Sequence, residues 1–246
     1  MEEPNKKRPN MNEKPTERKL RKSGIRYIVR IHVSLILVAV IFFGSAGHIT
    51  IPRAWAFFVM GFIYYPVSTF ILYRQNPELI NQRGEKKQDT KSWDRIVMPA
   101  YFIVGYYLLA AVVGLDVGRF HWSYLGIHFL VIGLPLYIGG AVLNTWAMIA
   151  NPYFEPMVRI QEERDHKVVT TGPYKIVRHP GYLAGSLWTV SFPLIIGSLV
   201  GFIPAVIALL LLVVRTWLED KTLCKELAGY SEYAQRVNYR LFPEIW

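Results

Sequence analysis

The chain has 246 residues, of which 52% are hydrophobic and 19% charged, and 28 Lys and Arg stand against 18 Asp and Glu. Its mean hydropathy is positive, and its charges fall in blocks instead of being spread along helices as in a soluble domain. The single cysteine, Cys224, excludes an intrachain disulfide.

Residues 1–26 combine Pro4, Pro9 and Pro15 with many Lys, Arg, Glu and Asn and almost no apolar side chains. They read as a disordered basic tail. The first apolar run begins too late for a cleavable leader and is long enough to be a true span. Apolar segments then cover Ile31–Ile49, Ala54–Tyr73, Ile96–Leu115 and Tyr124–Ala150, each close to the roughly 20 residues that cross about 30 Å of hydrocarbon. The next apolar stretch, 182–218, is too long for one span. Pro193, Gly197, Ser198, Gly201 and Pro204 cluster near its middle, so the pattern predicts two helices, Leu183–Gly197 and Gly201–Trp217, joined by a turn. The expectation is an all-α, polytopic integral membrane protein of about six transmembrane helices, the last two forming a tight hairpin. Residues 27–123 hold the first three spans with one cytoplasmic loop, and 124–246 form a second unit containing the polar segments.

Of the 28 basic residues, 26 lie in 1–30, in 74–95, in 151–181 or in 215–246, and only Arg53 and Arg119 lie in the alternate loops. The positive-inside rule places both termini and both large loops in the cytoplasm. The formal net charge of +10 then follows from topology and attraction to anionic lipid headgroups, and no nucleic-acid partner is needed. A bacterial inner membrane is the expected host, since no retention signal is evident. The six histidines are scattered, with no helical pairing to a carboxylate that would make a metal site. Cys224 reads as a small residue in a reduced compartment.

Chemistry concentrates around Gly172-Pro173-Tyr174-Lys175-Ile176-Val177-Arg178-His179-Pro180-Gly181-Tyr182, at the entrance of the fifth span. Ionisable residues are costly near hydrocarbon and mark function there. Pro180 biases His179 away from helical geometry and leaves its ring free at the helix entrance. Arg215, Glu219 and Asp220 close the sixth span, and the hairpin returns them to the side of Arg178 and His179. The segment from Leu223 through Tyr230, Tyr233 and Arg240 to Trp246 reads as a short amphipathic helix with an aromatic anchor, able to cover a pocket.

Taken together, Gly172-Pro173-Tyr174, Arg178-His179-Pro180 with Tyr182 and Gly185, the hairpin, Glu219-Asp220, Leu223, Tyr230, Tyr233 and Arg240-Leu241-Phe242-Pro243 resemble the isoprenylcysteine carboxyl methyltransferase family. Membrane phospholipid and thiol methyltransferases are similar. The resemblance covers about residues 124–246 and implies an S-adenosylmethionine-dependent methyltransferase acting on an amphipathic or lipid-like acceptor, such as a prenylcysteine-type carboxylate. It implies cofactor contacts from His179, Tyr182, Glu219 and Asp220, with His166, Val169, Gly172 and Tyr174 closing over the cofactor. Arg178 or Arg215 would lie nearer the acceptor, and Arg178, His179 and Arg215 are the candidate catalytic residues. Glu-Asp stands here where many members have Glu-Glu, which makes Asp220 the weaker half of the pair. A carboxylate can pair an ammonium, Arg or His a carboxylate, and an aromatic face a sulfonium. If the acceptor is an amine or a thiol, His179 is the candidate base. The competing readings are a membrane NADPH-dependent sterol-type reductase, a phospholipid N-methyltransferase and a non-catalytic membrane protein.

Overall fold

The computed structural model describes residues 19–87 and 89–246, and among them all regular structure is helical. The helices are α1 (Lys22–Ala46), α2 (Pro52–Gln75), α3 (Pro77–Arg83), α4 (Asp94–Phe120), α5 (Leu130–Ala150), α6 (Pro180–Ile196), α7 (Phe202–Glu226) and α8 (Tyr230–Arg236). Five of them, α1, α2, α4, α5 with its leading turn, and α7, are long and apolar enough to cross a membrane, and α6 is a shorter apolar helix. The chain is a multi-pass membrane protein with the expected hairpin between α6 and α7.

The basic tail expected over 1–26 lies largely outside the described residues. Its last part is corrected by the structure, because 22–26 form the start of α1. Packing overrides composition there: Ser23 and Gly24 are buried, and a Cβ on Gly24 would come within 2.5 Å of Asn81 Oδ1 on α3.

Proline and glycine punctuate the helices where backbone chemistry asks for them. Pro52, Pro77 and Pro180 stand in the first turn of α2, α3 and α6, where a missing N–H costs nothing. Gly197 ends α6 with φ 104°, and its N–H donates to the Pro193 carbonyl, the left-handed cap that lets the chain turn into α7. Within α4, Pro99 precedes two π-helical turns, Ile103–Leu108 and Leu115–Phe120, a local widening often found at functional positions.

Phe42, Phe58 and Phe192 meet edge to face at the centre, joining α1, α2 and α6 with Val113 of α4 and Ala205 of α7. Large apolar side chains such as Val40, Ile63, Ile96, Val131 and Leu210 point outward, as expected of faces that hydrocarbon covers. α6 thus runs through the bundle with its first residue at one end and its last at the other, roughly 25 Å apart at 1.5 Å per residue.

Candidate functional site

His179 stands at the entrance of α6 with φ −125° and ψ 63°. Its N–H donates to the Arg240 carbonyl at 3.0 Å, and the Arg178 N–H donates to the Tyr239 carbonyl at 2.9 Å. The C-terminal segment therefore lies across the start of α6. α7 comes back to the same end and delivers Asp220 into this group. Arg178 Nη1 is 2.9 and 2.8 Å from the two Asp220 oxygens, and Arg240 Nε donates to Oδ2 at 2.8 Å. Oδ1 also accepts from the Tyr230 hydroxyl at 3.0 Å and lies 3.3 Å from His179 Nε2. Burial first, and then the Asp220 charge, raise the Tyr230 phenol, so it stays a donor. Both Asp220 oxygens are thus fully occupied by side chains of the protein. Arg178 spends a further nitrogen on the Asn238 carbonyl, and its Nε is buried without a partner among the described residues.

One helical position away, Glu219 is only partly buried. Its Oε2 accepts the Tyr182 hydroxyl, and Oε1 has no hydrogen bond among the described residues. The Tyr182 ring stacks parallel to His179, with centroids 5.6 Å apart and 4° between planes, and the Arg215 guanidinium lies 4.8 Å from its centroid. Arg215 donates through Nε and Nη2 to Asp94 at 2.7 and 3.1 Å, and through Nη2 to the Pro156 carbonyl at 2.7 Å.

The loop residues expected to close over a ligand gather beside this cluster. Val169 and Tyr174 pack with Leu223, Leu227, Tyr230 and Tyr233. The Tyr174 hydroxyl accepts from Asn151 at 3.0 Å, and its carbonyl accepts from the Tyr233 hydroxyl at 2.7 Å. Gly172 has φ 58°, and a Cβ there would come within 2.9 Å of Ala150 and 3.1 Å of Trp146, so only glycine fits this turn. His166 has other neighbours: its ring lies 4.4 Å from Tyr153, and Nδ1 accepts the Gln161 N–H at 3.4 Å. Burial, helped by Arg159 and Arg164, pushes its pKa down to about 4, so the ring is neutral at pH 7. Arg159 anchors the same loop through Glu155, Glu163 and Asp89.

Below Tyr182, along the same face of α6, an aromatic cavity opens among the spans. It is a narrow, partly open cavity of about 70 Å³ between Tyr64, Tyr65, Tyr101, Tyr106, Trp188 and their neighbours. Tyr101, whose hydroxyl is 3.5 Å from Thr189, belongs with Ala208 and Leu212 to the apolar cluster against which Tyr182 packs.

Residues 121–225 match the sequence model of the isoprenylcysteine carboxyl methyltransferase family. The match covers rather less than half of the chain. Relatives bear the same name: protein-S-isoprenylcysteine O-methyltransferase B of Arabidopsis thaliana is 36% identical over 109 residues, 43% of this chain and 55% of the relative. A probable protein-S-isoprenylcysteine O-methyltransferase of Oryza sativa subsp. indica is 28% identical over 44% of this chain and 58% of its own length. Protein-S-isoprenylcysteine O-methyltransferase of Saccharomyces cerevisiae is 25% identical over 80% of this chain and 82% of the relative. The match spans little more than half the length of the plant relatives. All three organisms are eukaryotes, which lends no support to the bacterial inner membrane expected from the sequence.

Sequence reasoning brought Arg178, His179, Tyr182, Arg215, Glu219 and Asp220 to one end of the hairpin, and the structure brings them there. It missed Asp94 as the partner of Arg215, Asn151 as the partner of Tyr174, and Arg240 as a second arginine on Asp220. The one available signal for Asp94 was an acidic residue opening an apolar run, which helix-dipole pairing explains equally well.

Proposed function

We propose that the protein is an integral membrane methyltransferase that moves a methyl group from S-adenosylmethionine to an amphipathic acceptor, a prenylcysteine-type carboxylate, at the cytoplasmic face. The observation that carries this reading is the spare oxygen of Glu219, held beside the Tyr182 ring at the mouth of an aromatic cavity within the membrane. The names of the plant and yeast relatives point the same way.

The donor set fits the cofactor. Glu219 Oε1 pairs an ammonium. The turn around Gly172 and Tyr174, with Val169, closes over the site and excludes water. Bound there, S-adenosylmethionine supplies an electrophilic methyl group. Arg215, fixed over Tyr182, meets the acceptor carboxylate, while the apolar part of the acceptor occupies the cavity. A carboxylate is already ionised at pH 7, so no residue has to remove a proton. His179 then orients rather than deprotonates, which agrees with an Nε2 already facing Asp220 and Tyr230. Asp220, with both oxygens engaged, holds Arg178, His179 and the C-terminal segment in place. Rate comes from alignment and desolvation. The reductase reading finds no support in these relatives.

Calorimetry on the detergent-solubilised protein tests the reading. S-adenosylmethionine should bind at micromolar concentration and NADPH should not. Glu219→Gln should weaken cofactor binding about 30-fold, the scale of one charge-assisted hydrogen bond. An unchanged dissociation constant would remove Glu219 from the site, and binding of NADPH alone would turn the assignment to a reductase.

A further inference from the structure

The half of the chain that precedes the matched segment also reaches the polar cluster, through Asp94. Asp94 opens α4, is fully buried, and grips Arg215 across 121 positions of sequence. Arg215 is itself 1% exposed. Its Nε and Nη2 are taken by Asp94 and the Pro156 carbonyl, and its plane rests on Tyr182. Only Nη1 has no hydrogen bond among the described residues. Asp94 Oδ2 also accepts the Val158 N–H at 2.8 Å, so the loop that follows α5 is tied to the same carboxylate.

We propose that Asp94 is a positioning residue that locks the Arg215 guanidinium so that Nη1 faces the carboxylate of the acceptor; this rests on the acceptor reading given above. Stability alone is a poor reason for such a pair. A buried ion pair is often no more stabilising than well-packed apolar side chains of the same volume. What a two-point carboxylate grip does provide is a fixed guanidinium plane. A cation held on one edge and over an aromatic face has a single edge left to offer, and a carboxylate is the ligand that matches it. The unmatched half thereby supplies a determinant of acceptor choice as well as most of the cavity wall.

The test compares binding of N-acetyl-S-farnesylcysteine with binding of its carboxamide to the full chain in detergent, with S-adenosylmethionine affinity measured alongside. The wild-type protein should prefer the carboxylate about tenfold. Asp94→Asn should lower that preference to about twofold or less while cofactor affinity stays within about threefold. A preference that persists or grows in Asp94→Asn, as simple removal of a competing negative charge would produce, overturns the proposal. If Asp94→Asn fails to fold, Asp94→Glu keeps the ion pair but moves it by one methylene. It should cut the preference at least about threefold, and an unchanged ratio again overturns the proposal. A wild-type protein that binds the cofactor but treats the two probes alike refutes the acceptor reading, and the role of Asp94 falls with it.

Discussion

The two ends of α6 are both ringed by polar side chains, yet their bonding differs. At the C-terminal end, Arg53 gives Nε, Nη1 and Nη2 to the carbonyls of Ile195, Leu125 and Leu194. Nearby, Asp116, with no exposed surface, accepts from the Ser123 N–H and from the hydroxyls of Ser123 and Ser198. These groups are satisfied by backbone and hydroxyl partners within the turns they brace. At the N-terminal end, Glu219 keeps an oxygen, Arg215 keeps a nitrogen, and Arg178 keeps a buried Nε without a partner among the described residues. Burying unmatched polar groups is costly. The C-terminal end of α6 is thus saturated, and the N-terminal end keeps spare hydrogen-bonding capacity.

That contrast can be broken by substitution. The largest effect belongs to Asp220, which sits at the ligand end but is saturated like a brace. Asp220→Asn leaves Arg178 as an uncompensated buried charge, which should cost about 3–5 kcal/mol. Thermal unfolding should move down by about 10 °C for a chain of this size, with the C-terminal segment becoming sensitive to protease. A melting temperature within a degree of wild type would show that Asp220 is not the clamp of this end. Arg53→Met tests the other end. Three carbonyls lose a charged donor, so stability should fall by about 2 kcal/mol, while S-adenosylmethionine affinity stays within about twofold. A loss of cofactor binding without loss of stability would mean that the two ends are not separable.

Legibility from sequence follows the same line. The α6–α7 hairpin was readable because Pro193, Gly197 and Gly201 announce a turn by their own backbone chemistry, and once the turn is placed His179 and Glu219 must share an end. The arrangement of Asp220 was not readable. Its partners Arg178, Tyr230 and Arg240 lie 42, 10 and 20 positions away, and nothing local distinguishes a carboxylate with three cationic or hydroxyl neighbours from the one beside it, which has Tyr182 alone. The sequence therefore favoured Glu219 over Asp220 only through a family pattern, where the structure separates them by hydrogen-bond capacity. Arg53 was legible as a topological marker and not as a brace, because main-chain carbonyls have no signature in sequence. The cavity was illegible for a related reason: its aromatic wall comes from four different helices.

The smallest expected effect concerns the loop between α5 and α6, which is braced by Arg159 on one side and packs against α7 and α8 on the other. His166 has its pKa lowered from 6.5 to about 4 by burial first. Glu163 is lowered to about 2 chiefly by its hydrogen bond to Arg159. Both folded-state values lie below the unfolded ones, so the unfolded loop binds more protons as pH falls. The stabilising contribution of His166 is fully present above pH 6.5 and is lost on the way down to about pH 4; that of Glu163 begins to fade below about 4.5. Hydrogen exchange of amides in 158–170 should therefore lose protection as pH drops from 7 to about 4.5, after correction for intrinsic rates. The loss should be about tenfold once solvent screening of these half-exposed groups is allowed for. Amides around Gly197 and Ser198, braced by Arg53, should not change over the same range. His166→Phe should flatten the upper part of the profile, because a neutral ring that cannot titrate leaves only the Glu163–Arg159 pair to respond. A loop whose protection holds steady to pH 4.5 would mean that the ring is hydrated there, and that this loop is braced by Arg159 alone.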